Sequence, residues 1–63
     1  MFTEADYREY FTAVQNCELA MLKKVSRAIS MVSDPEIREK LDIVRSDEVA
    51  HARLVQELFS CIA

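Results

Sequence analysis

The chain has no glycine and only one proline in 63 residues, and those scarcities exclude more than most of the residues present. Loops that cradle phosphates and the turns of dinucleotide-binding motifs need glycine so that backbone can approach the ligand closely, so nucleotide chemistry is excluded. No apolar run nears the roughly 18 residues that a membrane span needs. The opening Met1-Phe2-Thr3-Glu4-Ala5-Asp6 lacks the basic and apolar regions of a secretory signal, so the expected compartment is the cytoplasm and no membrane partner is expected. Positive charge is not concentrated either. The net charge is −3, with eight basic residues spread along the chain, which gives no footprint for nucleic acid or for an anionic lipid surface.

Cysteine is scarce as well, at two residues. Cys17 and Cys61 lie at distances from a turn at Ser33-Asp34 that differ by about twelve residues, or roughly 18 Å of helix. A disulfide tolerates about 7 Å between Cα atoms, so both are expected as free thiols, buried or partly buried as small apolar groups. With no disulfide, a core this small rarely supplies more than about 3–5 kcal/mol. A metal or a partner is needed to supplement it.

What is present is helix-forming and apolar. The hydrophobic fraction is 51%, too high for a disordered chain. The sequence breaks once, at Ser33-Asp34-Pro35-Glu36: proline suits a first helical position, it holds Asp34 out of the helical region, and Ser33 with Glu36 has capping-box spacing. These signals predict an all-α single domain over 1–63, with one helix over about 3–32, a turn at 33–34 and a second helix over about 35–62. Thr3 is the expected N-cap of the first helix. Its early Glu4 and Asp6 and its later Lys23, Lys24 and Arg27 complement the helix dipole. So short a connection makes the pair an antiparallel hairpin.

Both helices carry a stripe with steps of three and four. In the second it reads Ile37, Leu41, Val44, Glu48, His51, Val55, Leu58, Ile62; in the first, Phe11, Val14, Glu18, Met21, Val25, Ala28, Val32, broadened by Leu22 and Ile29. Such spacing is the seam of a helical bundle. Glu18, Glu48 and His51 interrupt it and are expected in the interior. Two helices alone leave much of these faces wet, so a homodimer closing into a four-helix bundle is the simplest architecture.

Glu48 and His51, three apart on one helix face, can grip one ion. A Glu-x-x-His arises by chance in roughly one chain in ten of this length, so position matters more than the motif. Glu18 and Glu48 each lie fifteen residues from Ser33, which sets them side by side once the hairpin folds. Buried carboxylates need compensation. In a two-fold dimer, four glutamates balance two divalent ions and two imidazoles complete the ligand set. Iron or manganese suits these donors, and zinc would also bind.

Glu18 with Glu48-x-x-His51 resembles one half of a ferritin-like di-iron carboxylate bundle. The two-helix form, the thirty-residue gap and the turn at Ser33-Asp34-Pro35-Glu36 are similar to the encapsulated ferritins. That resemblance implies a ferroxidase that binds two Fe(II) ions per dimer and oxidises them with dioxygen, in iron handling or storage. It makes Glu18 the bridging ligand and Glu48 and His51 terminal ligands, in a homodimer or a larger ring of dimers. Asp47 resembles the family's supporting aspartate, which accepts the free imidazole N–H. The resemblance further implies residence inside an encapsulin shell, a protein nanocompartment, although no C-terminal docking extension is seen. Where the family has acidic residues that attract iron, this chain has Cys17 and Ala20.

Plainer readings stand beside these. His51 could be a core histidine hydrogen-bonded to a neighbour, Glu18 a rim residue paired with Lys23 or Arg27 of another chain, and Asp47 an exposed helix aspartate. Met21, Leu22 and Ile29 are core filling, and Tyr7 and Tyr10 are packing aromatics. A Cys17–His51 dyad lacks any sign of an oxyanion hole. For the whole chain, the alternatives are a non-catalytic dimerisation or partner-binding hairpin, and a di-metal site for oxygen or peroxide chemistry on another substrate.

Overall fold

The computed structural model describes residues 1–62; Ala63, the last residue of the expected domain, lies outside the described residues. Two helices, α1 (Glu4–Met31) and α2 (Pro35–Ser60), make up the structure, and no strand occurs among the described residues. Their combined length exceeds the 48 Å long axis of the molecule, so α2 folds back along α1. No described residue has a positive φ. The connection is made by extended backbone instead, with Val32 at φ −93°, ψ 130° and Asp34 at φ −67°, ψ 121°. A turn without glycine is feasible for that reason.

The helix starts are fixed by side chains. At α1 the Thr3 hydroxyl accepts from the Asp6 backbone N–H at 3.2 Å, and the Asp6 carboxylate accepts from the Thr3 N–H at 2.9 Å. Thr3 and Asp6 thus form a reciprocal capping box, and Phe2 packs edge-on against Tyr7 with ring centroids 5.3 Å apart, closing the first turn as a hydrophobic staple. The bond from the Thr3 backbone, and then the one from its hydroxyl, hold the Asp6 carboxyl below its ordinary value of 3.8. At α2 the cap differs from the expected Ser33–Glu36 box. Asp34 is the N-cap, its Oδ1 accepting from Glu36 N–H at 2.9 Å and Ile37 N–H at 3.1 Å. With Pro35 as the first helical residue, the cap falls on the residue immediately before it. Asp34→Ala should therefore cost about 1 kcal/mol, read as a lower thermal midpoint, whereas Ser33→Ala should leave the midpoint unchanged. The cations also fall short of expectation. No basic residue lies in the last turn of α1, so Lys23, Lys24 and Arg27 end before the carbonyls they were expected to face.

The core is narrow. Val25, Ile29 and Val55 are buried, flanked by half-buried Phe11, Leu22, Val32, Leu41, Ala52 and Phe59. At the open end Tyr7, Phe11 and Phe59 pack in sequence, with both centroid separations at 5.8 Å and the Phe11–Phe59 pair edge-to-face. Tyr7 and Tyr10 are packing aromatics that stay substantially exposed.

The expected stripe on α2 resolves into two rows. Leu41, Glu48, Val55 and Ile62, seven apart, turn towards α1, while Ile37, Val44, His51 and Leu58, also seven apart, are exposed. A seam stepping by three and four is wider than one neighbouring helix can cover, so a lone hairpin buries one row and leaves the other. Met21, expected in the core, is 48% exposed for the same reason. Both cysteines are free and exposed, against the expectation of burial. Cys17 points off the contact line and Cys61 caps the end of α2.

Candidate metal centre

Glu18, Glu48 and His51 come together at mid-height of the hairpin. Each offers a ligand atom, and those atoms all lie within 4.8 Å of one another. Helical periodicity and the position of the turn bring this about: Glu18 belongs to the inward row of Phe11, Val25 and Val32, and Glu48 to that of Leu41 and Val55. His51 stands on the exposed row, outside the interior it was expected to occupy, yet close enough that its Nδ1 is 3.8 Å from Glu18 Oε2. Its position opens the cluster towards the uncovered face.

The electrostatics are those of a site short of positive charge. Glu18 is mostly covered, its side chain 22% exposed, and its buried Oε2 has no hydrogen-bond partner. The 3.8 Å approach of His51 is too long to supply one. Glu48 is pushed above the ordinary glutamate value of 4.5: a protonated Glu48 can hydrogen-bond to Glu18, burial weakens its solvation, and the charges of Glu18 and Asp47 oppose its ionisation, with only His51 acting the other way. Two adjacent carboxylates, one with an orphaned buried oxygen, together with one imidazole fit a hard or borderline divalent cation. Asp47 is exposed beside them, and the hydrogen bond to His51 that would make it a supporting residue is not formed in the single chain.

Comparison with known proteins gives no further guide. The chain matches no family model, no curated protein and no solved structure. Function therefore rests on the cluster and its surroundings. The sequence had named all three clustered residues. It had not named Ala52 and Phe59, which are half-buried on the same face of α2, Phe59 against Phe11 at the open end; the 4-3-4-3 steps of Glu48, Ala52, Val55, Phe59 and Ile62 carry that signal. Two surface hollows, one lined by Ser33, Pro35, Arg38, Glu39 and Asp42 and one by Phe2, Asp6, Glu9, Tyr10 and Ala13, lie towards the ends of the hairpin and include none of the three. No helix among the described residues is long and apolar enough to cross a membrane.

The raised Glu48 value has a consequence for the metal-free protein. Protons bind Glu48 more tightly in the folded hairpin than in the unfolded chain, so its contribution is full below about pH 4.5 and is lost as pH rises through the raised value. The variant Glu48→Gln cannot ionise. Thermal midpoints in a chelator should show the variant gaining on wild type as pH rises from about 4 to about 7. A gap independent of pH would remove the electrostatic account of the site.

Proposed function

We propose that this chain is one half of a ferritin-like di-iron carboxylate site, resembling encapsulated ferritin, and that two copies pair as a four-helix bundle to oxidise Fe(II) with dioxygen. The observation that carries the reading is the convergence of Glu18, Glu48 and His51 ligand atoms within 4.8 Å at the edge of an uncovered apolar face. Pairing two copies there gathers four carboxylates and two imidazoles. Four negative charges neutralise two divalent cations, and the orphaned Glu18 Oε2 gains a partner. By the resemblance, Glu18 would bridge the two ions and Glu48 and His51 would bind terminally.

In this reading iron is the substrate. Two Fe(II) ions each give up one electron, and one dioxygen accepts both with two protons and leaves as hydrogen peroxide. The three side chains would bind and orient the ions, with Glu18 and Glu48 as carboxylates. Manganese or zinc would fit the same donors.

Oxygen uptake on adding Fe(II) anaerobically prepared tests the activity. Wild type should consume about one dioxygen per two Fe(II), well above the protein-free rate, and Glu18→Ala should fall to that background. Uptake equal in both proteins would rule out ferroxidase activity. A second reading, a dimerisation or partner-binding hairpin without catalysis, is favoured by the exposed Val44, Leu54 and Leu58; it predicts that metal neither binds nor alters assembly.

A further inference from the structure

We infer that the uncovered face takes a second copy of this chain with the two turns at opposite ends, so that the two Cys17 thiols meet across the dyad beside the metal site. The inference rests on the paired-site reading above and specifies the geometry of that pairing. Residues of α1 and α2 turned by equal angles from their line of contact fall on the same side of an antiparallel pair, at about 100° per residue. Tyr10, Cys17 and Met21 of α1 therefore share one side with Val44, His51 and Leu58 of α2, and all six are exposed. The molecule is 48 Å long and 15 Å wide, which gives this face the order of area of a standard interface, about 800 Å² per partner.

Two dyads could pair such faces. One runs along the helices and keeps both turns at the same end. The other runs across them and reverses one copy. Two observations select the crossing dyad. Glu18 is preceded by fourteen residues of α1 and followed by thirteen, and Glu48 by thirteen and twelve residues of α2. A dyad across the helices at this height brings both ligand sets together and still overlaps the hairpins along their full length; with the other dyad the ligands could sit at any height.

Charge points the same way. Lys24 and Lys40 lie on this side within two residues of each other in height near the turn, and Lys40 is only weakly engaged, 4.0 Å from Glu36. The lengthwise dyad lays α1 over the partner's α2 and sets Lys24 against a second Lys40. The crossing dyad lays α1 over α1 and moves each Lys24 to the level of Tyr10 in the other copy, where a ring face can receive the ammonium. It also places Cys17 opposite Cys17. Packed helix axes 8–10 Å apart and a Cα radius of about 2.3 Å leave those Cα atoms within the roughly 7 Å that a disulfide spans.

Oxidation with diamide in a Cys61→Ser background tests this, because diamide takes the two thiol hydrogens as the sulfur–sulfur bond forms. The expected result is a disulfide-linked dimer on a non-reducing gel, lost completely on adding Cys17→Ser. A mixture of Lys24→Cys and Tyr10→Cys chains, each otherwise cysteine-free, should likewise cross-link to each other. A dimer by mass that links through neither pair overturns the crossing arrangement while leaving the paired metal site intact. Cross-linking through Cys17 in a protein that takes up no metal supports the arrangement and sinks the metal reading instead. A monomer at all concentrations overturns both.

Discussion

Replacing Glu48 by alanine should abolish metal binding while the hairpin stays helical. Changing a residue that merely supports a ligand costs roughly 10–100-fold in affinity, so losing a ligand itself should exceed the upper end of that range. Fold loss does not confound the result. Glu48 is half-buried beside another carboxylate and is harder to ionise than an ordinary glutamate, so alanine relieves repulsion in the metal-free chain and adds a better helix former. An anaerobic Fe(II) titration should therefore show saturable uptake by wild type and none by the variant, with equal helical circular dichroism. Equal uptake by both would remove Glu48 from the site.

The second large effect is on the fold. Ile29→Ala should unfold the metal-free chain, because a buried isoleucine truncated to alanine costs about 2–5 kcal/mol, close to the whole of the about 3–5 kcal/mol that so small a core supplies. Ile29 is only 7% exposed, in a core otherwise centred on Val25 and Val55. Far-ultraviolet circular dichroism in a chelator should show most helix lost. Metal should restore part of it, since a ligand of the folded state stabilises by mass action. Met21→Ala makes the contrast: at 48% exposure it should leave the metal-free monomer folded and weaken only assembly. Similar losses from both substitutions would contradict the division into inner and outer rows.

That division marks where sequence reading ran out. Pro35 marks the break, and the equal fifteen-residue distances of Glu18 and Glu48 from Ser33 put the candidate ligands at one height from the sequence alone. Periodicity alone could not say which half of each seam a single neighbour would cover, because steps of three and four describe a surface broad enough for two. The stripe therefore counts Val44, His51 and Leu58 as interior, whereas the lone hairpin leaves them exposed. The Ser33–Glu36 spacing competes with the Asp34 cap one residue on, and only the position of Pro35 decides between them. Asp6 was read as a dipole partner, though its place three residues after Thr3 also made it half of a capping box. Composition makes Cys17 apolar filling, but the rotation of about 100° from Glu18 turns it off the contact line.

A core histidine satisfied by its own chain would be covered; His51 stands 54% exposed at the edge of an uncovered face, 3.8 Å from a glutamate oxygen that lacks any hydrogen-bond partner. Elemental analysis of protein purified without added metal, with its mass in solution, for wild type and His51→Ala, decides whether the cluster holds metal. The account predicts about one iron or manganese ion per chain in a wild-type dimer, as a di-metal bundle requires, and loss of that metal in a variant that remains helical. Metal-free wild type that also takes up none from excess Fe(II) under anaerobic conditions would contradict it.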